Sequence, residues 1–344
     1  MQHEITRTGP LLDSRGRLSE PGWARSPLPV YDRGAIRAPA FRIKEWDYYL
    51  VTFPGGAVAF TVADNSYMGL LSISVLDLEN RSERTESVIL PLTWGRLGLP
   101  ADSRTGDVRA AGKGMAIDFR NDGTRRRLFG SMPGFDGGKG FEAEIELFDE
   151  PPDSMVIATP FEGKARHFYF NRKIVGMRAR GYIAVGSRRI KVEPESAWGL
   201  LDWGRGVWPY SGTWYWSAAQ GQVGSARFGW NLGYGFGQTS AATENMLFHD
   251  GRCHKLEAVE FHIPTKPDGQ DDFMAAWNFT SSDGRFEMEF RPRLDRAAFT
   301  AVGPLMSDQH QVFGLFSGRA RLDDGAVLEV KDFPGFAEKV RNRW

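Results

Sequence analysis

Several things are scarce in this chain of 344 residues. It has one cysteine, Cys253, so neither an intramolecular disulfide nor a cysteine-rich zinc site can form, and a chain this long buries an ample core without such staples. Charge of one sign is not in excess either: 43 basic and 43 acidic side chains cancel. Proteins that hold nucleic acid chiefly by displacing counterions from phosphates carry a basic surplus, so nucleic acid is set aside as a partner. No run of eighteen apolar residues exists, which excludes a helical membrane segment. The start, MQHEITRTG, has no apolar core of a secretory signal, and a cytoplasmic location is expected.

Catalytic motifs are scarce too. There is no phosphate-cradling GxxxxGK[ST] loop, no G-x-S-x-G elbow and no His-Glu-x-x-His run. Of the six histidines, His254 and His262 are too far apart for a helical metal pair, so neither a metal nor a cofactor is expected. Helical periodicity is nearly confined to the C-terminus. There Pro334-Gly335 precedes FAEKVRNR, with Phe336 and Val340 four apart, and a short helical turn is predicted.

What the chain does have is aromatic residues, 13% of it, and 40 glycines. Strands favour the first and tight turns need the second. Asp-Gly pairs at 122–123, 250–251, 283–284 and 324–325 are hairpin signals. After the third, Phe286, Met288 and Phe290 alternate with Glu287 and Glu289, the period of a strand with one buried face. The fold class is therefore all-β and antiparallel. Residues 1–40, with five prolines, read as an extended arm, residues 41–165 as a first β unit and residues 166–344 as a second. A faint repeat supports two units: slid along itself, the chain aligns Trp46 with Trp214, Gly56 with Gly224, Phe60 with Phe228, Gly69 with Gly237 and Ser72 with Ser240.

Candidate chemistry concentrates after residue 197. The stretch AWGLLDWGRGVWPYSGTWYW sets five tryptophans and two tyrosines around Asp202 and Arg205. One reading is a structural plug with Asp202 and Arg205 as an ion pair. The other is an aromatic-walled pocket with a carboxylate near its floor, which Trp203, Arg205, Trp208, Tyr210, Trp214 and Trp216 would line for a small hydrophobic molecule. In NLGYGFG, glycine at alternate positions strips one strand face, as where a ligand or backbone approaches closely, and Asn231 and Tyr234 are further candidate contacts. TSAATEN then offers Glu244 among small residues that would leave its head accessible. Asp202 and Glu244 are the candidate catalytic pair, since two carboxylates can divide into a protonated acid and an ionised partner. His167 in RHFYFNRK and His310 in SDQHQVFG are candidate pocket residues in polar and aromatic surroundings.

The runs DSMVIATPFEGK, HFYFNRKI, LLDWGRGVWPY, NLGYGFG, TSAATEN, SSDGRFEMEF and SDQHQVFG resemble a bacterial family catalogued only as a domain of unknown function, over nearly the whole chain. More distantly, Trp198, Gly199, Asp202, Trp203 and Gly204 are similar to the carotenoid hydratase, tocopherol cyclase and lipocalin-like Diels-Alderase group. The chain departs from that group in Arg205 and Gly206. This second resemblance implies two calycin-like antiparallel barrels packed together. It also implies an isoprenoid- or lipid-like molecule held between or within them, and acid-assisted hydration, cyclisation or isomerisation with Asp202 or Glu244 as proton donor. Two other readings stand beside it: a non-catalytic carrier or sensor of an apolar ligand, and a carbohydrate-active enzyme using the carboxylate pair.

Overall fold

The computed structural model describes residues 2–343, and almost all of its regular structure is antiparallel strand. One sheet curls into a nearly closed barrel and the other into a half-barrel. Among the strands at the seam between them are β1 (Ile43–Phe53), β2 (Lys164–Val185), β3 (Trp198–Val207), β4 (Ser211–Val223), β5 (Leu305–Arg321) and β6 (Val327–Arg343). Their seam-facing residues Tyr48, Leu50, Tyr169, Leu200, Trp216, Phe313 and Phe336 share one apolar cluster, while separate clusters fill the interior of each unit.

The same connectivity occurs twice. In the first sheet β1 makes a hairpin with Gly56–Asp64, β3 returns to pair with β1 on its other side, and β2 pairs with β3. In the second, β4 makes a hairpin with Ala226–Tyr234, β6 returns to β4, and β5 pairs with β6. Trp46 and Trp214 lie in β1 and β4, and Phe60 and Phe228 in the hairpin partners, so the sequence repeat marks the opening hairpin of each unit. Beyond it the register is lost, since Ser72 is in a strand and Ser240 in a loop. Both β2 and β3 belong to the first sheet, which places the passage between units at residues 208–210 rather than at the expected 165–166.

All four Asp-Gly pairs turn hairpins, with glycine φ between +65° and +91°. The arm lies extended against the first unit: Gly22–Ala24 pairs with Met155–Phe161, and Ile5, Leu11, Leu12 and Tyr31 are buried in that unit's core. The predicted C-terminal helical turn is corrected to strand, for β6 runs unbroken through it between β4 and β5. A spacing of four suits a helix face, but four is also an even number, and Phe336 and Val340 share a strand face equally well. Sheet pairing on both sides decides between the two. No helix among the described residues is long and apolar enough to cross a membrane.

Candidate functional site

Two rows of side chains meet at the seam. Tyr48, Asp202 and Lys173 are direct cross-strand neighbours on β1, β3 and β2. Trp216, Glu338 and Gln311 are the corresponding neighbours on β4, β6 and β5. Partners opposite one another on antiparallel strands point to the same face, so each row presents a carboxylate flanked by two other groups. The rows touch: Lys173 Nζ lies 3.8 Å from the centre of the Trp216 ring, and the Tyr48 and Trp216 rings meet edge to face at 5.9 Å.

Asp202 accepts from Asn171 Nδ2 at 2.6 Å and pairs with Lys173 Nζ at 2.8 Å, so both its oxygens act as acceptors. The third carboxylate comes from the loop after Ala226–Tyr234. Asn231 Nδ2 donates to the Glu244 carbonyl at 2.8 Å and to Glu244 Oε2 at 3.2 Å, and Trp216 Nε1 donates to Asn231 Oδ1 at 2.7 Å. A Cβ on Gly233 would lie 2.6 Å from the Glu244 carboxyl carbon. The bare strand face foreseen in NLGYGFG therefore serves to admit this carboxylate, which is turned inward and buried rather than left accessible. Gln2 Oε1 and Lys255 Nζ hold Thr243 Oγ1 next to it at 3.0 and 2.8 Å, fixing the segment from outside.

Three buried carboxylates around one bonded lysine cannot all ionise cheaply. Burial pushes Glu338 up to about 7; Asp202 adds to this, while Lys173, the Trp214 hydrogen bond and Arg296 oppose it. Burial likewise raises Glu244 above the usual carboxylate range, opposed by Lys173 and Asn231 and helped by Asp202. Glu338 accepts from Trp214 Nε1 at 3.2 Å and from Gln311 Nε2 at 3.0 Å. Asn171 Oδ1 is buried without a hydrogen bond, and the buried Tyr48 hydroxyl and Gln311 side chain lie within reach of each other. Burial raises Tyr48 to about 12, which keeps it protonated.

Above the rows stands an aromatic box. The ring of Phe236 has Phe161, Tyr169, Trp208 and Trp214 around it, with centroids at 5.2, 5.0, 4.8 and 5.1 Å. Trp46 stacks on Tyr169 behind it. Two of these rings reach the carboxylates: Trp214 bonds Glu338, and Tyr169 is driven well above its usual range by burial and by Glu244, Asp202 and Glu338.

The structure thus brings together Asp202, Glu244, Asn231, Trp208, Trp214 and Trp216 at the seam. It places the others elsewhere. Trp203 and Arg205 occupy the opposite face of β3, inside the first unit, where Arg205 pairs with Asp47 at 3.0 Å and lies over Trp203. The anticipated Asp202–Arg205 pair does not form because residues three apart on a strand face opposite ways. Tyr210 is exposed and donates to the Pro304 carbonyl at 2.6 Å. Tyr234 stacks on Tyr215 inside the second unit. His310, next to Gln311 but on the other face of β5, pairs with Asp295 at 2.7 Å and stacks on Phe273. His167 is half-buried on the face of β2 that carries Tyr169, Asn171 and Lys173, and burial and Lys164 lower its basicity. The residues not foreseen are Tyr48, Asn171, Lys173, Gln311, Glu338 and Phe236. A concavity of about 500 Å³ lined by Arg109, Phe129, Glu142 and Tyr182 is an open groove on the outer face of the first unit, away from this chemistry.

Solved structures are similar to this chain to different degrees. A Nitrosomonas europaea protein provisionally assigned as AttH has a TM-score of 0.53 and 13% identity, over 93% of this chain and 98% of that one. Kievitone hydratase from Nectria haematococca has a TM-score of 0.44 and 11% identity, over 88% of each chain. CghA with Sch210972 has a TM-score of 0.47 and 11% identity, again over 88% of each. The correspondence of fold rests on the first of these. No curated protein matches the sequence. The family model for a domain of unknown function, DUF2804, matches residues 2–344, and the chain belongs to that family.

Proposed function

We propose that this cytoplasmic protein binds a small, neutral, hydrophobic molecule at the seam and transfers a proton to it, catalysing acid-assisted hydration or isomerisation of a carbon–carbon double bond without a cofactor. The observation that carries this reading is Glu338: a buried carboxyl held near neutrality, beside an ion-paired carboxylate and beneath aromatic rings. An acid works best when its pKa lies near the working pH.

In the first step the π pair of the alkene takes the Glu338 proton to form a C–H bond, leaving the carboxylate and a cation on the neighbouring carbon. The faces of Trp214, Trp208 and Tyr169 stabilise that cation. In the hydration branch a water oxygen bonds the cation and its proton passes to a carboxylate, which restores the charge balance. Asn171 Oδ1, the Tyr48 hydroxyl and Gln311 Oε1 are the groups suited to orient that water. In the isomerisation branch an adjacent C–H bond gives its proton to a carboxylate and its electron pair forms the new double bond. Asp202, which accepts from Asn171 and pairs with Lys173, stabilises charge.

Native mass spectrometry of the protein from its own host, followed by organic extraction, identifies the bound molecule. With it in hand, Glu338→Gln is expected to lower kcat about 100-fold or more. The wild-type rate is expected to fall as pH rises through about 7, where Glu338 loses its proton. Unchanged turnover in Glu338→Gln and Glu244→Gln overturns the reading.

A further inference from the structure

The aromatic box is closed by a residue that does not come from a strand. Phe236 is half-buried on a segment whose neighbours, Gly235 and residues 238–240, are exposed. Its ring nevertheless has four aromatic side chains around it at 4.8 to 5.2 Å. The walls belong to the rigid frame: Phe161 ends a strand of the first sheet, Tyr169 is on β2, and Trp214 is on β4. The plug is held more lightly. Gly235 and Gly237 flank it with φ of +85° and +81°, a conformation glycine enters and leaves without steric cost. The Gln238 amide donates to the Pro160 carbonyl at 2.7 Å, and the next backbone tie is His3 to Ala241 at 2.8 Å. The box meets the carboxylate cluster through Trp214, whose Nε1 donates to Glu338.

We propose that the box is a ring-binding subsite in which Phe236 holds, in the free protein, the place that a neutral planar unsaturated ring of the ligand takes in the complex, the 235–241 segment swinging outward to admit it. Edge-to-face contacts from Phe161, Tyr169 and Trp208 and a tilted one from Trp214 select a flat π system. Three carboxylates around one bonded lysine disfavour an anionic ring. A cavity the size of one benzene ring with apolar walls binds such a ring readily. A ring held there has its edge against the Trp214 side of Glu338, so the inference rests on the proposed function for its purpose. It rests on the box geometry alone for its binding.

The probe is N-phenyl-1-naphthylamine, a neutral arylamine carrying a phenyl and a naphthyl ring, whose fluorescence rises on apolar burial, titrated into the full chain. In the wild type the probe must displace Phe236, so its apparent affinity is reduced by the closed fraction. Phe236→Ala is expected to bind it at least 10-fold more tightly, Phe236→Leu to fall between, and Phe236→Ala combined with Trp214→Ala to lose the gain. Equal affinity in wild type and Phe236→Leu, or a gain that survives loss of the Trp214 wall, overturns the proposal; the leucine variant keeps the test decisive where the alanine variant does not fold. The Phe236 series leaves all three carboxylates in place and is read by binding alone, so it decides the ring subsite whatever the turnover. Unchanged turnover in Glu338→Gln, with the Phe236 series behaving as expected, strikes the proposed chemistry and leaves the ring subsite standing.

Discussion

The two units place a carboxylate at the same point of the same topology, yet treat it oppositely. On the first, the row reads Thr61, Tyr48, Asp202, Lys173; on the second it reads Gly233, Trp216, Glu338, Gln311. A lysine beside Asp202 makes an ion pair that keeps both carboxylate oxygens accepting. The amide beside Glu338 supplies one hydrogen bond and no charge, and burial lifts that carboxyl to about 7. One repeat position thus carries an ion-paired carboxylate in one unit and, in the other, a carboxyl that burial pushes up to about 7, with Lys173 beside the first and Gln311 beside the second.

The largest effect comes from erasing that distinction. Lys173→Gln makes the first row resemble the second and leaves Asp202 buried without its cation. Removing one partner of a buried pair costs about 3–5 kcal/mol. Urea denaturation at pH 7 is expected to show that loss, with partial recovery in acid as the stranded carboxylate takes up a proton. A loss below about 1 kcal/mol would mean that Asp202 has other compensation.

Glu338→Gln makes the opposite test. A raised folded-state pKa means that the native state holds this proton when the unfolded chain has released it. The stability that Glu338 supports is therefore complete below pH 4.5, declines as pH rises to about 7 and is lost above it. The neutral amide escapes that decline. At pH 8 the variant is expected to be more stable than wild type by at most about 3 kcal/mol, since each tenfold change in acidity is worth about 1.4 kcal/mol, and at pH 4 the two should coincide. Parallel stability curves across this range would show that folding leaves the acidity of Glu338 unshifted.

Much of this architecture is legible in the sequence because its signals are local. Asp-Gly turns and the alternation of Phe286, Met288 and Phe290 read directly as hairpins, and the Trp46–Trp214 repeat marks the two opening strands. Asp202, Glu244 and the tryptophans stand out as an unusual crowd. What stays hidden is which face each strand turns to the seam. RHFYFNRK carries the clue, since His167, Tyr169, Asn171 and Lys173 alternate with Phe168 and Phe170, but period two alone does not tell the seam from solvent. Glu338 lies concealed in a run whose spacing of four fits a helix. Arg205 looks like the partner of Asp202 because sequence distance is short where strand geometry turns the two apart. Glu244 needs the least local fact of all, a glycine on one strand making room for a carboxylate from the following loop.

That glycine supplies the smallest and sharpest break of the comparison. Where the first row begins with Thr61, the second begins with Gly233, and only the second admits a third carboxylate. The backbone at Gly233 is not in the left-handed region, so alanine meets no dihedral strain there and the whole effect is steric. A methyl 2.6 Å from the Glu244 carboxyl carbon must push that side chain aside, at a cost of about 1–2 kcal/mol. Moved out of its buried position and away from Asp202, Glu244 is expected to lose part of its elevation, although loss of the Asn231 bond works the other way, as followed by carbon NMR of the side-chain carboxyl. Glu338, bonded to Trp214 and Gln311 on the far side of Trp216, should keep its titration near 7. If both move together, the three carboxylates share their protons as one unit, and the contrast between the rows belongs to the cluster instead of to the residue beside each acid.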